Sequence, residues 1–352
     1  MGASNQCFVV KNNNMVGNTF QDIPCGFESI VYLENGSSDK IARITALFAC
    51  GKDGGCFTIK EKYLEVLFMN TVDFFGHQIT KLIVGDNPMN GHSYIPDILP
   101  GSEMVEYYTA ERFKETLFRV EELGYNTIMP LADPFVIRLL KEYRREGGKM
   151  NIIFQPYVGM KQDVSIRQMM SVDPIGVYHQ GTTTDFLYEN GRCDEILAMI
   201  ELYHSMGIPV GLGTHRPDVI EKSERENWNV DFYVACLQNA RRNREGEQSG
   251  FITGKTKSGL IFYPDDRPIM LDTLKKVEKP VVAFKIFAGG QMFLKKTEEE
   301  KREIIKGAYE EVFTALKPND VAAIGVFQRD KDQAKENMDL YHQWYREKHS
   351  QG

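Results

Sequence analysis

The chain has 352 residues, 42% of them apolar, and a formal net charge of -7. That length holds one large α/β domain with additions, and the negative balance argues against general affinity for nucleic acid or anionic membranes. No apolar run is long enough for a bilayer span. The polar N-terminus lacks the apolar core of a signal peptide. The six cysteines show no Cys-x-x-Cys spacing and read as reduced thiols of a cytoplasmic protein.

Residues 1–68 carry turn signals at Asn35-Gly36-Ser37-Ser38 and Gly54-Gly55 but no sustained period. They are expected to form an irregular extension. Leu64-Glu65-Val66 can be encoded by a purine-rich stretch resembling a ribosome-binding site, which makes Met69 a candidate start. The barrel domain is placed over residues 69–352. It opens with a short hairpin leading into a first strand at 81–85. A helix follows over 109–123, a second strand at 126–131, a helix to 145, and a third strand at 151–155. The fourth strand is expected at 174–179, with a helix from 193 to 206. At the centre of the chain, apolar runs at 208–212 and 230–235 read as fifth and sixth strands. Pro217 and a polar helix over 218–225 join them, giving a β-α-β unit. A seventh strand at 279–287, a helix over 297–316, an eighth strand at 320–327 and a last helix over 332–348 complete the count. Eight strands alternating with helices predict a (β/α)8 TIM barrel. A doubly wound sheet is the alternative, but the Gly-rich first turn it usually carries is missing.

In such a barrel, function collects after the C-terminal strand ends. His92, His179 and His215 all fall there. Each suits general acid–base work or metal ligation. With Asp86, Asp133 or Gln155 they are candidates to hold a divalent metal, although no His-x-His or His-Glu-x-x-His spacing supports one; each also suits a plain loop hydrogen bond. Lys285, read as lying inside the seventh strand, is a candidate for Schiff-base chemistry, carboxylate binding or charge stabilisation, or simply for an ion pair in the barrel. Gly289-Gly290 and Gln328-Arg329 sit where barrels often bind phosphate. The Gly181-Thr-Thr-Thr-Asp185 stretch reads as a loop of hydroxyls, with Thr184 or Asp185 capping the next helix. Thr214 and Asn239 are further candidates for ligand contact. The segment 240–268 is too long for a plain connection and is expected to act as a lid.

The order of these motifs resembles the aldo-keto reductase superfamily. The hairpin matches that family's opening. Val210-Gly-Leu-Gly-Thr-His-Arg-Pro-Asp resembles its fifth-strand pattern, Val230-Asp-Phe-Tyr its sixth and Val281-Val-Ala-Phe-Lys-Ile-Phe-Ala-Gly-Gly its seventh. Ile324-Gly-Val followed by Glu336-Asn337 resembles the eighth strand and the end of the cofactor motif. Gly85-Asp-Asn-Pro-Met-Asn-Gly-His-Ser-Tyr and Tyr178-His-Gln-Gly-Thr-Thr-Thr-Asp look like a bacterial branch of such barrels. The resemblance implies NAD(P)-linked reduction of a carbonyl or sugar-like small molecule, with Thr214, Asn239, Gly289, Gly290, Arg329, Glu336 and Asn337 toward the cofactor. The family's catalytic tetrad is Asp, Tyr, Lys and His. His179 matches its His; Gln155 stands in the place of the Lys, Asp133 is displaced along the chain, and Phe135 is nearest the Tyr position. The alternatives are a metal-assisted lyase or isomerase acting on a sugar or hydroxy acid, and a non-catalytic ligand-binding barrel.

Overall fold

Apolar runs of four or five residues, each followed by an amphipathic helix, make the framework. The computed structural model describes residues 71–239 and 262–349, with the backbone of five strands between residues 6 and 58. The chain divides into two units, Met1–Met69 and Asn70–Gly352. In the first, β1 (Gln6–Lys11), β2 (Asn14–Gly17), β3 (Ser29–Glu34), β4 (Arg43–Cys50) and β5 (Cys56–Thr58) pair antiparallel in the order β2-β1-β3-β4-β5. Strands with no steady apolar alternation leave little trace in the sequence, which is why this stretch reads as irregular.

The second unit opens with an antiparallel hairpin, β6 (Thr71–Phe74) and β7 (His77–Thr80). Eight parallel strands follow: β8 (Leu82–Gly85), β9 (Thr127–Met129), β10 (Asn151–Phe154), β11 (Gly176–His179), β12 (Val210–Thr214), β13 (Phe232–Cys236), β14 (Val281–Phe284) and β15 (Val321–Gly325). Each pairs with the next, and β15 pairs with β8 to close a barrel. The helices are α1 (Gly101–Tyr107), α2 (Ala110–Glu122), α3 (Pro134–Arg145), α4 (Gln162–Met170), α5 (Gly181–Glu189), α6 (Cys193–His204), α7 (Pro217–Glu226), α8 (Asp266–Leu274), α9 (Glu298–Ala315) and α10 (Gln333–His349). Among the described residues no helix is long and apolar enough to cross a membrane. This is the (β/α)8 fold expected from the strand count.

The hairpin plugs the N-terminal end of the barrel. Val72, Phe74 and Ile79 join the interior cluster with Ile83, Met129, Ile153, Phe232, Val282 and Val321. The Phe74 ring meets Phe232 edge-on at 5.0 Å. Asn126 ties the hairpin to the mouth of β9, accepting from the Thr80 amide at 2.9 Å and donating to the Gln78 carbonyl at 2.8 Å. With one end of the barrel filled, the opposite end is left for chemistry.

Two local expectations change. The Gly181–Asp185 stretch is the first turn of α5, not a loop. Gln180 caps it, its side-chain oxygen accepting from the Thr183 amide at 2.7 Å, and this offsets the weak helix propensity of three threonines. Lys285 lies one residue beyond β14 rather than inside it, with φ +57. The left-handed backbone there breaks the strand alternation and re-aims the side chain.

Candidate active site at the barrel mouth

Strand alternation decides which side chains enter the barrel. On β11 Tyr178 belongs to the interior cluster, so His179 faces the surrounding helices. Its Nδ1 lies 2.7 Å from the Thr184 hydroxyl on α5. Burial, only partly opposed by the nearby Asp185 charge, holds its pKa down at about 4. His179 therefore stays neutral and stands apart from the barrel mouth, contrary to the family-based expectation. On β12 Gly211 packs against the inward Phe232 ring, so the inward series 211, 213, 215 brings His215 into the mouth. On β13 Phe232 and Val234 face inward, and Cys236 continues that series.

Behind His215 lies a fully buried carboxylate, Asp185 on α5. Its Oδ2 is 2.7 Å from His215 Nδ1, its Oδ1 accepts from the Thr214 hydroxyl at 2.5 Å, and both oxygens receive the His215 amide at 3.2–3.3 Å. Thr214 is thus a partner of the carboxylate, not a ligand contact. In front, Lys285 Nζ lies 3.2 Å from His215 Nε2. A carboxylate on one side and an ammonium on the other assign the tautomer: Nδ1 carries the hydrogen and Nε2 accepts. The Cys236 thiol sits within hydrogen-bonding reach of the same ring. Burial alone would push that thiol up, but Lys285 and His215 bring its pKa below the usual value. Burial likewise works against the Lys285 ammonium; Cys236, Tyr94 and Asp185 more than offset it and keep the lysine charged. For His215, burial disfavours the charged ring, while Cys236 and Asp185 outweigh it and Lys285 and make the ring more basic than an ordinary histidine.

Lys285 is wrapped in aromatic rings. Its Nζ stands 4.6 Å from the Tyr94 centroid, 5.3 Å from Phe284 and 5.4 Å from Phe262. Tyr94 is held by Asn87, whose side-chain amide donates to its hydroxyl at 3.1 Å, and by Gln291, which donates to its carbonyl at 2.9 Å. The Tyr94 side chain leaves no room for a Cβ at Gly289, whose φ is +59; an added methyl would meet the Tyr94 Cβ at 2.6 Å and its ring at 2.7 Å. That contact explains the glycine without any phosphate.

Across the mouth, Asp86 follows β8. Its Oδ2 accepts from the Leu131 amide at 2.7 Å and from Asn90 at 2.5 Å. Burial, reinforced by the Asp133 charge against these hydrogen bonds, raises its pKa to about 7. Gln155 accepts from the Tyr178 hydroxyl at 3.0 Å. Asp133 caps α3, accepting from the Val136 amide at 2.9 Å.

A cleft of about 440 Å³ opens beside Lys285. His92, Gly289, Gly290, Glu336 and Asn337 line it. Burial and the Lys285 charge hold the His92 pKa below the usual value. Arg329 does not line the cleft; it pairs with Glu103 at 2.8 Å and Asp330 at 3.0 Å on the surface. The first amides of α10 are engaged too: Ala334 N donates to Gln328 and Lys335 N to Asp332. Glu336 pairs with Lys331 at 2.6 Å, and Asn337 bonds Tyr309 and the Gln333 carbonyl. Asn239 turns the chain, its amide bonding Asp266 at 2.9 Å. Of the groups nominated for a nicotinamide nucleotide, Thr214, Asn239, Arg329, Glu336 and Asn337 thus have internal partners. The three histidines do not converge: among the described residues no three of His, Cys, Asp and Glu gather to hold a metal. Of the expected lid, residues 240–261 lie outside the described residues, and Phe262 reaches Lys285.

No family model matches the chain, and no curated protein matches it. Solved structures do. A truncated 3-deoxy-D-arabino-heptulosonate 7-phosphate synthase from Thermotoga maritima is 12% identical with a TM-score of 0.45, covering 80% of this chain and 91% of that one. What is shared is the barrel. Orotidine 5'-monophosphate decarboxylase from Methanocaldococcus jannaschii is 14% identical at TM-score 0.44, over 76% of this chain and 98% of that one. N-acetylmannosamine-6-phosphate 2-epimerase from Clostridium perfringens is 13% identical at 0.37, over 70% and 86%. Nothing among these points specifically to the aldo-keto reductases, and likeness at this level speaks to the fold alone.

Sequence reasoning named His215 and Lys285 but missed Asp185 as their partner, Cys236 and Tyr94. For Cys236 the signal was present, since inward alternation from Phe232 and Val234 selects it. Asp185 and Tyr94 arrive from a helix and a long loop that strand periodicity does not register.

Proposed function

We propose that the protein is an acid–base enzyme of the lyase or isomerase type, acting on a small carbonyl compound at the C-terminal mouth of the barrel. The observation that carries this reading is the row Asp185–His215–Lys285, with contacts of 2.7 and 3.2 Å beside an open cleft. His215 Nε2 takes the proton from the carbon next to the carbonyl. The electron pair of that C–H bond moves onto the carbonyl oxygen, and the Lys285 ammonium stabilises the charge that develops there. Asp185 keeps Nδ1 protonated and stabilises the imidazolium formed. Returning the proton to a different carbon gives an isomerase; expelling a leaving group from the next carbon gives a lyase. Asp86, with its pKa near 7, is suited to act as the proton donor from the other side of the mouth. A reductase reading has less support, because the resemblance's His is turned away and its Lys position is a neutral Gln.

The test is exchange of carbon-bound hydrogen. Each of a panel of 2-oxo acids and ketones is incubated with the protein in D2O and followed by proton NMR. The reading expects loss of the signal next to the carbonyl for at least one compound, far above the protein-free rate. A panel without any such loss refutes it.

A further inference from the structure

We infer that the substrate is a carboxylic acid with an apolar body, its anionic head on Lys285 and its tail running out along the cleft. The inference rests on the acid–base reading and narrows it, away from the sugar or hydroxy acid that the sequence suggested. Among the described residues Lys285 has no carboxylate ion-pair partner within contact distance, yet it is partly buried among three rings. An ammonium in an apolar setting is costly unless an anion meets it. Of the other lysines along the cleft, Lys296 pairs with Glu300, Lys301 with Glu298, and Lys331 with Glu298 and Glu336, while Lys295 is exposed to water. Among the described residues Lys285 is thus the partly buried lysine of the cleft that has no carboxylate ion pair, and its Nζ marks the inner end as the place for an anionic head.

Much of the cleft wall is apolar. Ile95 and Ile98 come from the loop after β8, Phe293 and Leu294 from the turn after β14, and Ile305 from α9. Ile98 is 65% exposed and Leu294 39%, two large apolar side chains held in water where they line one cleft. A polyhydroxylated ligand would lose water from its hydroxyls against these walls with few groups to replace it. An alkyl or aromatic body instead gains from each carbon it buries.

The experiment is calorimetric titration of the full chain with octanoate, octylamine and gluconate, which separate tail from head. Octanoate is expected to bind at least about tenfold tighter than either of the others. Leu294→Glu, an exposed substitution checked for unchanged thermal melting, is expected to weaken octanoate at least about tenfold and to leave gluconate unchanged. Gluconate binding as tightly as octanoate, no octanoate binding, or octanoate indifferent to Leu294→Glu would each overturn the inference. The two proposals fail separately. Octanoate binding without any hydrogen exchange sinks only the acid–base reading. Exchange on short polar carbonyl compounds without octanoate binding sinks only this one.

Discussion

Replacing Asp185 by Asn tests the buried row with almost no change of shape. Asp185 receives three donors: the Thr214 hydroxyl, His215 Nδ1 and the His215 amide. An amide offers one oxygen and one NH2, so it can accept on one side only. If its oxygen keeps Thr214, its NH2 faces Nδ1 and forces the proton onto Nε2. That atom then opposes the Lys285 ammonium at 3.2 Å, donor against donor. A hydrogen bond to a charged group contributes about 1.5–3 kcal/mol, so the variant should lose about 2–4 kcal/mol, read by urea unfolding. The rate effect should be larger, because a histidine in the wrong tautomer cannot take a proton; losses of about 10⁴-fold follow from such a change in a comparable triad. Hydrogen exchange in D2O measures it. A folded variant with exchange within about threefold of the parent would refute the reasoning, since Asp185 would then hold the fold and not the tautomer.

Three further outcomes follow from the same geometry. Because the folded state raises the Asp86 pKa to about 7, protonation favours folding, and the contribution present below the unfolded value near 4 is lost as pH rises toward 7. Asp86→Asn should therefore be more stable than the parent at pH 8, by at most about 4 kcal/mol, with the gap closing toward pH 4; a gap independent of pH contradicts the assignment. Phe74→Ala empties the hairpin plug against Phe232 and should cost about 3–5 kcal/mol in urea unfolding, whereas a cost below about 1 kcal/mol would mean the barrel end closes without it. Arg329→Ala removes surface ion pairs and a stacking contact on Phe327, so thermal melting should barely move and octanoate affinity not at all; a tenfold loss of affinity would return Arg329 to the site.

The eight barrel strands and most of the long helices were legible because each of those strands is a short apolar run with a helix at its back. The helix over 181–189 was not, because threonines and glycine conceal it until the Gln180 cap is seen. The choice among the histidines turned on a single step of alternation: Tyr178 inward puts His179 outside, and Gly213 inward puts His215 within. Family likeness points to His179, but it ignores the face on which a strand-end residue falls. Lys285 was recognised, but its aim depends on a positive φ that no residue type announces at a lysine. Packing accounts for Gly289, since Tyr94 occupies the space a side chain would need, and that contact is not visible in the sequence.

In the proposed reaction His215, not His179, is the proton-transfer group. The most direct measurement compares the rate of carbon-bound hydrogen exchange in D2O for His215→Asn and His179→Asn, on whichever carbonyl compound the parent exchanges. His215→Asn is predicted to lose about a hundredfold or more, and His179→Asn, which breaks only a contact to Thr184, to stay within about threefold. The reverse order, with His179→Asn inactive and His215→Asn active in folded proteins, would contradict it.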